Sequence, residues 1–302
     1  MITVPTTLVL GAGASEPYGF PWGVGLLNQV CSLENRPRPL KDAGFTDEDI
    51  VSFFDDLKHA GYSSVDAFLE KFQQYAEIGK AAIAATLIPI EDPTSLFPPQ
   101  VSRPHWYEFL ANRLEVGTAR FDENQLSIVT FNYDRSLEHY LYKVLLTRCG
   151  GGDTEAFGLL RKIPIIHVHG ALGAYSPLGG DGRPYTQEVT AETVRMAAGG
   201  IRIVSDADVE TEQFQTARTL LKQAERIYFL GFGFQSDNVR RLEVFNEEWT
   251  RELRNKVLVG GTTVGIGAKD WEAIQRDILH GAWSMGRISG ILSLFEAVVP
   301  LD

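Results

Sequence analysis

Four short stretches of this sequence carry residue types suited to chemistry, and each follows an apolar run. Gly11-Ala12-Gly13-Ala14-Ser15 follows "TTLVL", and Asn132-Tyr133-Asp134 follows "LSIVTF". His169-Gly170 follows "IPIIHV". Gly231-Phe232-Gly233-Phe234, then Ser236-Asp237-Asn238, follow "RIYFL". Glycine lets backbone amides approach a phosphate closely, and a helix start behind it adds a positive dipole. An asparagine amide both donates and accepts, and an imidazole with an ordinary pKa near 6.5 can take a proton at neutral pH. Together these types suit a phosphorylated ligand on which a proton must move.

The elements that must bring them together are also legible. Six runs read as buried strands: 6–10, 126–131, 163–168, 201–205, 226–230 and 256–260. Most lack polar alternation, as parallel strands covered on both faces do. Helical patterns lie between them. Residues 209–225 put Phe214, Ala217, Leu220, Leu221 and Ala224 on one face; 236–254 open on a Ser-Asp-Asn capping cluster, and 134–147 open at Asp134. This alternation predicts an α/β fold, a Rossmann-like doubly wound parallel sheet with an α-helical insertion, whose crevice lies outside the carboxyl ends of the strands. The sheet domain is expected to use residues 1–35 and 121–302. Residues 36–120 form the helical insertion, packed beside the pocket. Within it, 64–87 place Phe68, Phe72, Tyr75, Ala76, Ile83 and Leu87 along one side, 103–116 add another amphipathic helix, and 91–99 connect them. The glycine-rich stretch 170–186 has the composition of a mobile loop, where a lid could sit.

Several chemistries drop out. The hydride-transfer version of the glycine motif needs a third glycine where Glu16 stands and an acid ending the next strand, whereas Glu34 falls in a non-strand stretch. No Gly-Lys-Ser or Gly-Lys-Thr exists, so a P-loop is excluded. The two cysteines, Cys31 and Cys149, lie far apart and build no zinc ribbon. His167 and His169, two apart on one strand face, are too few ligands for a metal, and no metal site is expected; for His167 a hydrogen-bonded buried side chain is expected. A net charge of −11 over 302 residues argues against direct nucleic-acid or anionic-membrane binding. The closest basic cluster, 251–256, is diluted by an acid. The opening residues lack a basic region, and no apolar run is long enough to span a bilayer, so a cytoplasmic protein is expected. Plainer readings stay open: glycine turns also serve packing alone, and Asn132 could cap the helix starting near Asp134.

"GAGAS…GFPWGVGLL", "SVDAFLE", "TFNYD", "HVHG" and "GFGFQSDNVRRL", in that order, resemble the sirtuin-like family in its bacterial branch of NAD-consuming domains associated with anti-phage defence. The resemblance covers essentially the whole chain. It implies that NAD is substrate, with no resident cofactor, and that Gly11, Ala12, Gly13, Ser15, Pro21, Asp134, Gly231, Phe232, Gly233 and Asn238 bind it. It implies Asn132 and His169 as the catalytic pair, with Asp134 orienting rather than acting as the base. Two departures matter. The four-cysteine module of the protein-deacylating members is missing, and Gly19-Phe20-Pro21 leads into Trp22-Gly23 instead of Asp-Phe-Arg. Both point to attack by water and hence to NAD glycohydrolysis. Such an enzyme needs restraint, so a homo-oligomer and a separate partner, such as a motor ATPase or an Argonaute-type sensor, are expected. A non-catalytic NAD or ADP-ribose sensor and an ADP-ribosyltransferase are the alternatives. Trp22, Trp106, Phe232 and Phe234 are expected to be packing residues, the two phenylalanines also able to line the nucleotide site. Residues 260–265 are a guess for the adenine contact.

Overall fold

A computed structural model of the chain describes residues 1–97, 105–115, 117, 119–203, 211–246, 249, 257–280, 282, 283, 285–297 and 301. Five parallel strands form one sheet: β1 (Thr6–Leu10), β2 (Leu126–Thr130), β3 (Ile165–His167), β4 (Arg226–Leu230) and β5 (Leu258–Gly261). Their order is β3-β2-β1-β4-β5. The chain therefore builds one half outward from β1, returns, and builds the other half from β4. This is the α/β doubly wound arrangement, and the order reverses between β1 and β4.

Alternate residues of these largely apolar strands feed two cores. Leu8, Leu10, Ile128, Tyr228 and Leu230 point into one, and Val9, Val129, Ile227 and Phe229 into the other. A strand buried on both faces needs no polar alternation, which is why the apolar runs are continuous. The sixth expected strand, 201–205, is not a strand over its described part. Ile201 makes only an isolated antiparallel bridge to Gly170, and 204–210 lie outside the described residues.

Between β1 and β2 the described residues hold six α-helices and no strand: α1 (Gly23–Ser32), α2 (Arg38–Ala43), α3 (Asp47–His59), α4 (Val65–Lys71), α5 (Ala76–Leu87) and α6 (Trp106–Arg113). The run 64–87 is not one helix. It breaks at Phe72, where the backbone leaves helical geometry (φ −109°, ψ 65°) and the ring stacks on Phe68 at 4.6 Å. Ser64 starts α4 firmly, its hydroxyl accepting from the Ala67 amide at 3.1 Å, a cap worth about 1 kcal/mol. Beyond β2 come α7 (Ser136–Cys149), α8 (Asp153–Leu160), α9 (Ala191–Gly200), α10 (Glu212–Gln223) and α11 (Ser236–Leu242). Phe214, Ala217 and Leu221 of α10 are buried against the sheet, as its periodicity predicts. The helix expected over 236–254 stops early, at Glu243 in the left-handed region (φ 53°). Residues 247, 248 and 250–256, including the short basic cluster, lie outside the described residues.

The glycine-rich stretch 170–186 is not a loose lid. Arg135, at the entrance to α7, and Arg183, within the loop, converge on Glu91, and all three are at most 1% exposed. Arg135 Nη1 also donates to the Arg183 carbonyl at 2.7 Å and its Nη2 to the Pro184 carbonyl at 3.1 Å. Arg183 Nε donates to the Leu172 carbonyl at 3.0 Å. Glycine content alone suggests mobility, but two buried guanidiniums require their partners to stay in place.

Candidate active site at the carboxyl edge

The two glycine loops after β1 and β4 lie back to back at the point where the strand order reverses. A Cβ on Gly11 would sit 2.6 Å from the Gly231 carbonyl oxygen, and one on Gly13 2.9 Å from the Gly231 Cα. Gly231 itself has φ +58°, and a Cβ there would sit 2.2 Å from the Ala14 nitrogen. Glycine is thus required by backbone-to-backbone packing. The amides of Gly11 and Gly13 donate to the carbonyls of Leu230 and Gly231, both at 3.0 Å, while those of Ala14 and Ser15 close short 3-10 turns. The expectation that the amides of this glycine loop point at a phosphate is therefore corrected for Gly11, Gly13, Ala14 and Ser15, whose hydrogens are used within the protein. No α-helix follows the first loop directly. Two 3-10 turns intervene before α1 begins at Gly23, beyond half-buried Pro21 and exposed Trp22. Trp22 is 61% exposed, so it is not the packing residue expected. Trp106 is: it is buried, and its indole donates to the Ala14 carbonyl at 2.8 Å, fastening the insertion to the first loop.

Asn132, at the end of β2, is buried and does not cap α7. Its amide nitrogen donates to the Gly11 carbonyl and to the Ser15 hydroxyl, both at 3.0 Å. Only nitrogen can face a carbonyl oxygen, so the amide orientation follows from the network. Asp134 closes the turn that leads into α7, accepting from the Ser136 amide at 3.2 Å and from the Ser136 and Ser15 hydroxyls. Burial pushes its carboxyl above the usual range despite those bonds. Behind this group lies a cavity of about 10 Å³, room for a single water, lined by Ser15, Thr130, Asn132, Asp134, Glu138 and His167 among others.

The two histidines do not share a face. β3 ends at His167, and a turn closed by the Gly170 amide on the His167 carbonyl swings His169 to the opposite side. His167 lies against α7: its Nδ1 donates to the Asn132 carbonyl at 2.8 Å and its Nε2 meets Glu138 Oε1 at 2.7 Å. His169 lies against Phe131 and Phe214, with ring centroids 5.5 and 5.9 Å away, and hydrogen-bonds the Asn238 side chain. Phe131 also packs on Phe232 at 5.1 Å, which links His169 to the second glycine loop. Gly233, one residue on, is exposed. Burial lowers the pKa of His169, opposed by the nearby charge of Asp66 and aided by that of Arg241.

Asp66 and Arg241 are side chains that sequence reasoning did not single out. Asp66 and Glu70 stand one turn apart on α4. The Tyr133 hydroxyl donates to Asp66, and Glu70 pairs with Arg241 of α11 at 3.2 Å. The insertion therefore reaches over the carboxyl edge beside His169. The available signal was the i, i+4 pair of acids within "SVDAFLE", which on its own looks like any solvated helix face.

Among the described residues no three His, Cys, Asp or Glu side chains gather as a metal site, and no helix is long and apolar enough to cross a membrane. No protein-family model matches the chain, and a search of curated proteins returned no relative.

Proposed function

We propose that this chain is an NAD glycohydrolase, cleaving NAD to nicotinamide and ADP-ribose. The observation that carries the reading is His169: an imidazole held toward its neutral form by burial, at the carboxyl edge and one ring away from the paired glycine loops. The crevice of an open parallel sheet lies at this edge, where strand order reverses. A dinucleotide there would lie across the β1 and β4 loops with its nicotinamide ribose toward His169.

The reaction breaks the bond between nicotinamide nitrogen and ribose C1′. The bonding pair leaves with the ring as a neutral pyridine, and positive charge develops on the sugar. Water supplies the new C1′–O bond and gives its proton to His169, which must be neutral to take it. Asp66 lies within electrostatic reach of His169 and favours the imidazolium that forms. Asn132 holds the first glycine loop in register.

The test is direct. Purified protein is incubated with NAD, alone and with candidate partners, and nicotinamide release is followed. Release with free ADP-ribose supports the reading; label transferred to protein supports an ADP-ribosyltransferase. Binding without turnover under every condition supports a sensor. Both hydrogens of Asn132 are already used inside the protein, which leaves its amide oxygen to accept a hydrogen bond from a ribose hydroxyl. In a cell, such an enzyme fits a gated toxic effector of bacterial anti-phage defence. It would act in the cytoplasm, as an oligomer or under a separate motor ATPase or Argonaute-type sensor.

A further inference from the structure

We propose that His167 and Glu138 are a positioning pair that sets the geometry of the first glycine loop, and through it the grip on the dinucleotide. The inference rests on the NAD-binding reading above but concerns residues that reading does not use. It starts from hydrogen bonds. A carbonyl oxygen only accepts, so the 2.8 Å contact to Asn132 requires a proton on His167 Nδ1. The 2.7 Å contact of Nε2 with Glu138 Oε1 holds a second proton between imidazole and carboxylate. The side chains are only 12% and 11% exposed, so water competes little for either bond.

From the imidazole the chain of bonds continues without a gap. Asn132 is held through its backbone carbonyl, and its amide then reaches the Gly11 carbonyl and the Ser15 hydroxyl, both at 3.0 Å. Ser15 in turn bonds Asp134. Six residues, Glu138 on α7, His167 on β3, Asn132 and Asp134 in the turn after β2, and Gly11 and Ser15 in the loop, are thus joined in one polar string beneath the glycine turn. An unbranched apolar side chain at 167 would fill the space but leave the Asn132 carbonyl and the Glu138 carboxylate without this partner. The groups facing the His167 imidazole are Glu138 from α7 and, from the turn after β2, Asp134 and the Asn132 carbonyl. Burial acts to lower the imidazole pKa; these three more than offset it, and the charged, doubly donating form is favoured.

Three variants and two readouts test the pair: His167→Ala, Glu138→Ala and Glu138→Gln, each confirmed folded by circular dichroism. Titration with NAD and with ADP-ribose gives dissociation constants, and amide hydrogen exchange reports the rigidity of residues 11–15. The expected result is affinity weaker by about 10-fold or more in both alanine variants. Exchange in the loop should be faster in both, with the loss in turnover falling on KM rather than kcat. Glu138→Gln keeps a partner for Nε2 and should recover most of what Glu138→Ala loses. Unchanged affinity and loop exchange in Glu138→Ala would overturn the proposal, as would Glu138→Gln no better than Glu138→Ala. If His167→Ala does not fold, the two Glu138 variants decide alone. If the unaltered chain binds neither NAD nor ADP-ribose, the dinucleotide reading fails, while loop exchange still decides whether the pair positions the loop.

Discussion

His167 and His169 stand two residues apart and have the same side chain, yet the fold gives them opposite surroundings. Facing α7, His167 meets a carboxylate and a carbonyl, so its protons are committed and its charged form favoured. A turn later, His169 meets the edges of Phe131 and Phe214 and one asparagine, and burial favours its neutral form. An imidazole already holding two acceptors cannot take a proton from a substrate, whereas a neutral one with a single neutral partner can. In the proposed reaction, the first histidine therefore has a structural part and the second the proton transfer.

The sharpest way to break it is substitution of His169 itself. His169→Ala should lower the rate of nicotinamide release by a factor of about 10² to 10⁴, with NAD still bound, as expected for loss of a general base. If His169→Ala keeps full turnover in a folded protein, His169 is not the base.

Next in size is the support behind His169. The stretch that follows it is fastened by Glu91 between Arg135 and Arg183, so Glu91→Ala leaves two guanidiniums buried without their carboxylate. A loss of about 3–5 kcal/mol is expected in denaturant unfolding. A loss under 1 kcal/mol would show that the loop does not depend on this centre.

The histidines should also differ in pH response. The folded pKa of His169 is lowered, so turnover should hold as pH falls to 6.5 and fail only as pH drops through that lowered value. Asp66 opposes the shift, so Asp66→Asn should move this acid limb to still lower pH. A limb that stays in place would remove Asp66 from the site. The smallest expected effect is on stability. His167 has a raised folded pKa, so its contribution is complete below the unfolded value near 6.5 and is lost as pH rises through the folded one. His169 has the opposite sign, its contribution being present above 6.5 and lost toward acid. Unfolding curves for His167→Gln and His169→Gln across pH 5 to 9 should therefore flatten on opposite sides of neutrality.

Much of this was readable from residues alone. Five of the six apolar runs became strands, because short stretches rich in β-branched and aliphatic residues favour extended backbone in a sheet covered on both faces. The residues following those strands were bound to share one edge once the strands ran parallel. The sequence likewise showed that neither a P-loop nor a cysteine-built zinc module could form.

What lay beyond the sequence depended on contacts between residues distant along the chain. Whether Gly11 and Gly13 serve a ligand or a neighbouring backbone depends on Gly231, over two hundred residues away. Composition made 170–186 look loose, but Glu91, brought in from the insertion, and the two arginines it pairs with hold it firm. Period-two reasoning put both histidines on one face, and a single turn after His167 undid that. Local pattern determines which backbone forms, since sterics and burial act over a few residues. The protonation and partners of a polar side chain are set by the charge, dipole and apolar surface that folding brings within a few ångströms, and only the tertiary structure decides those.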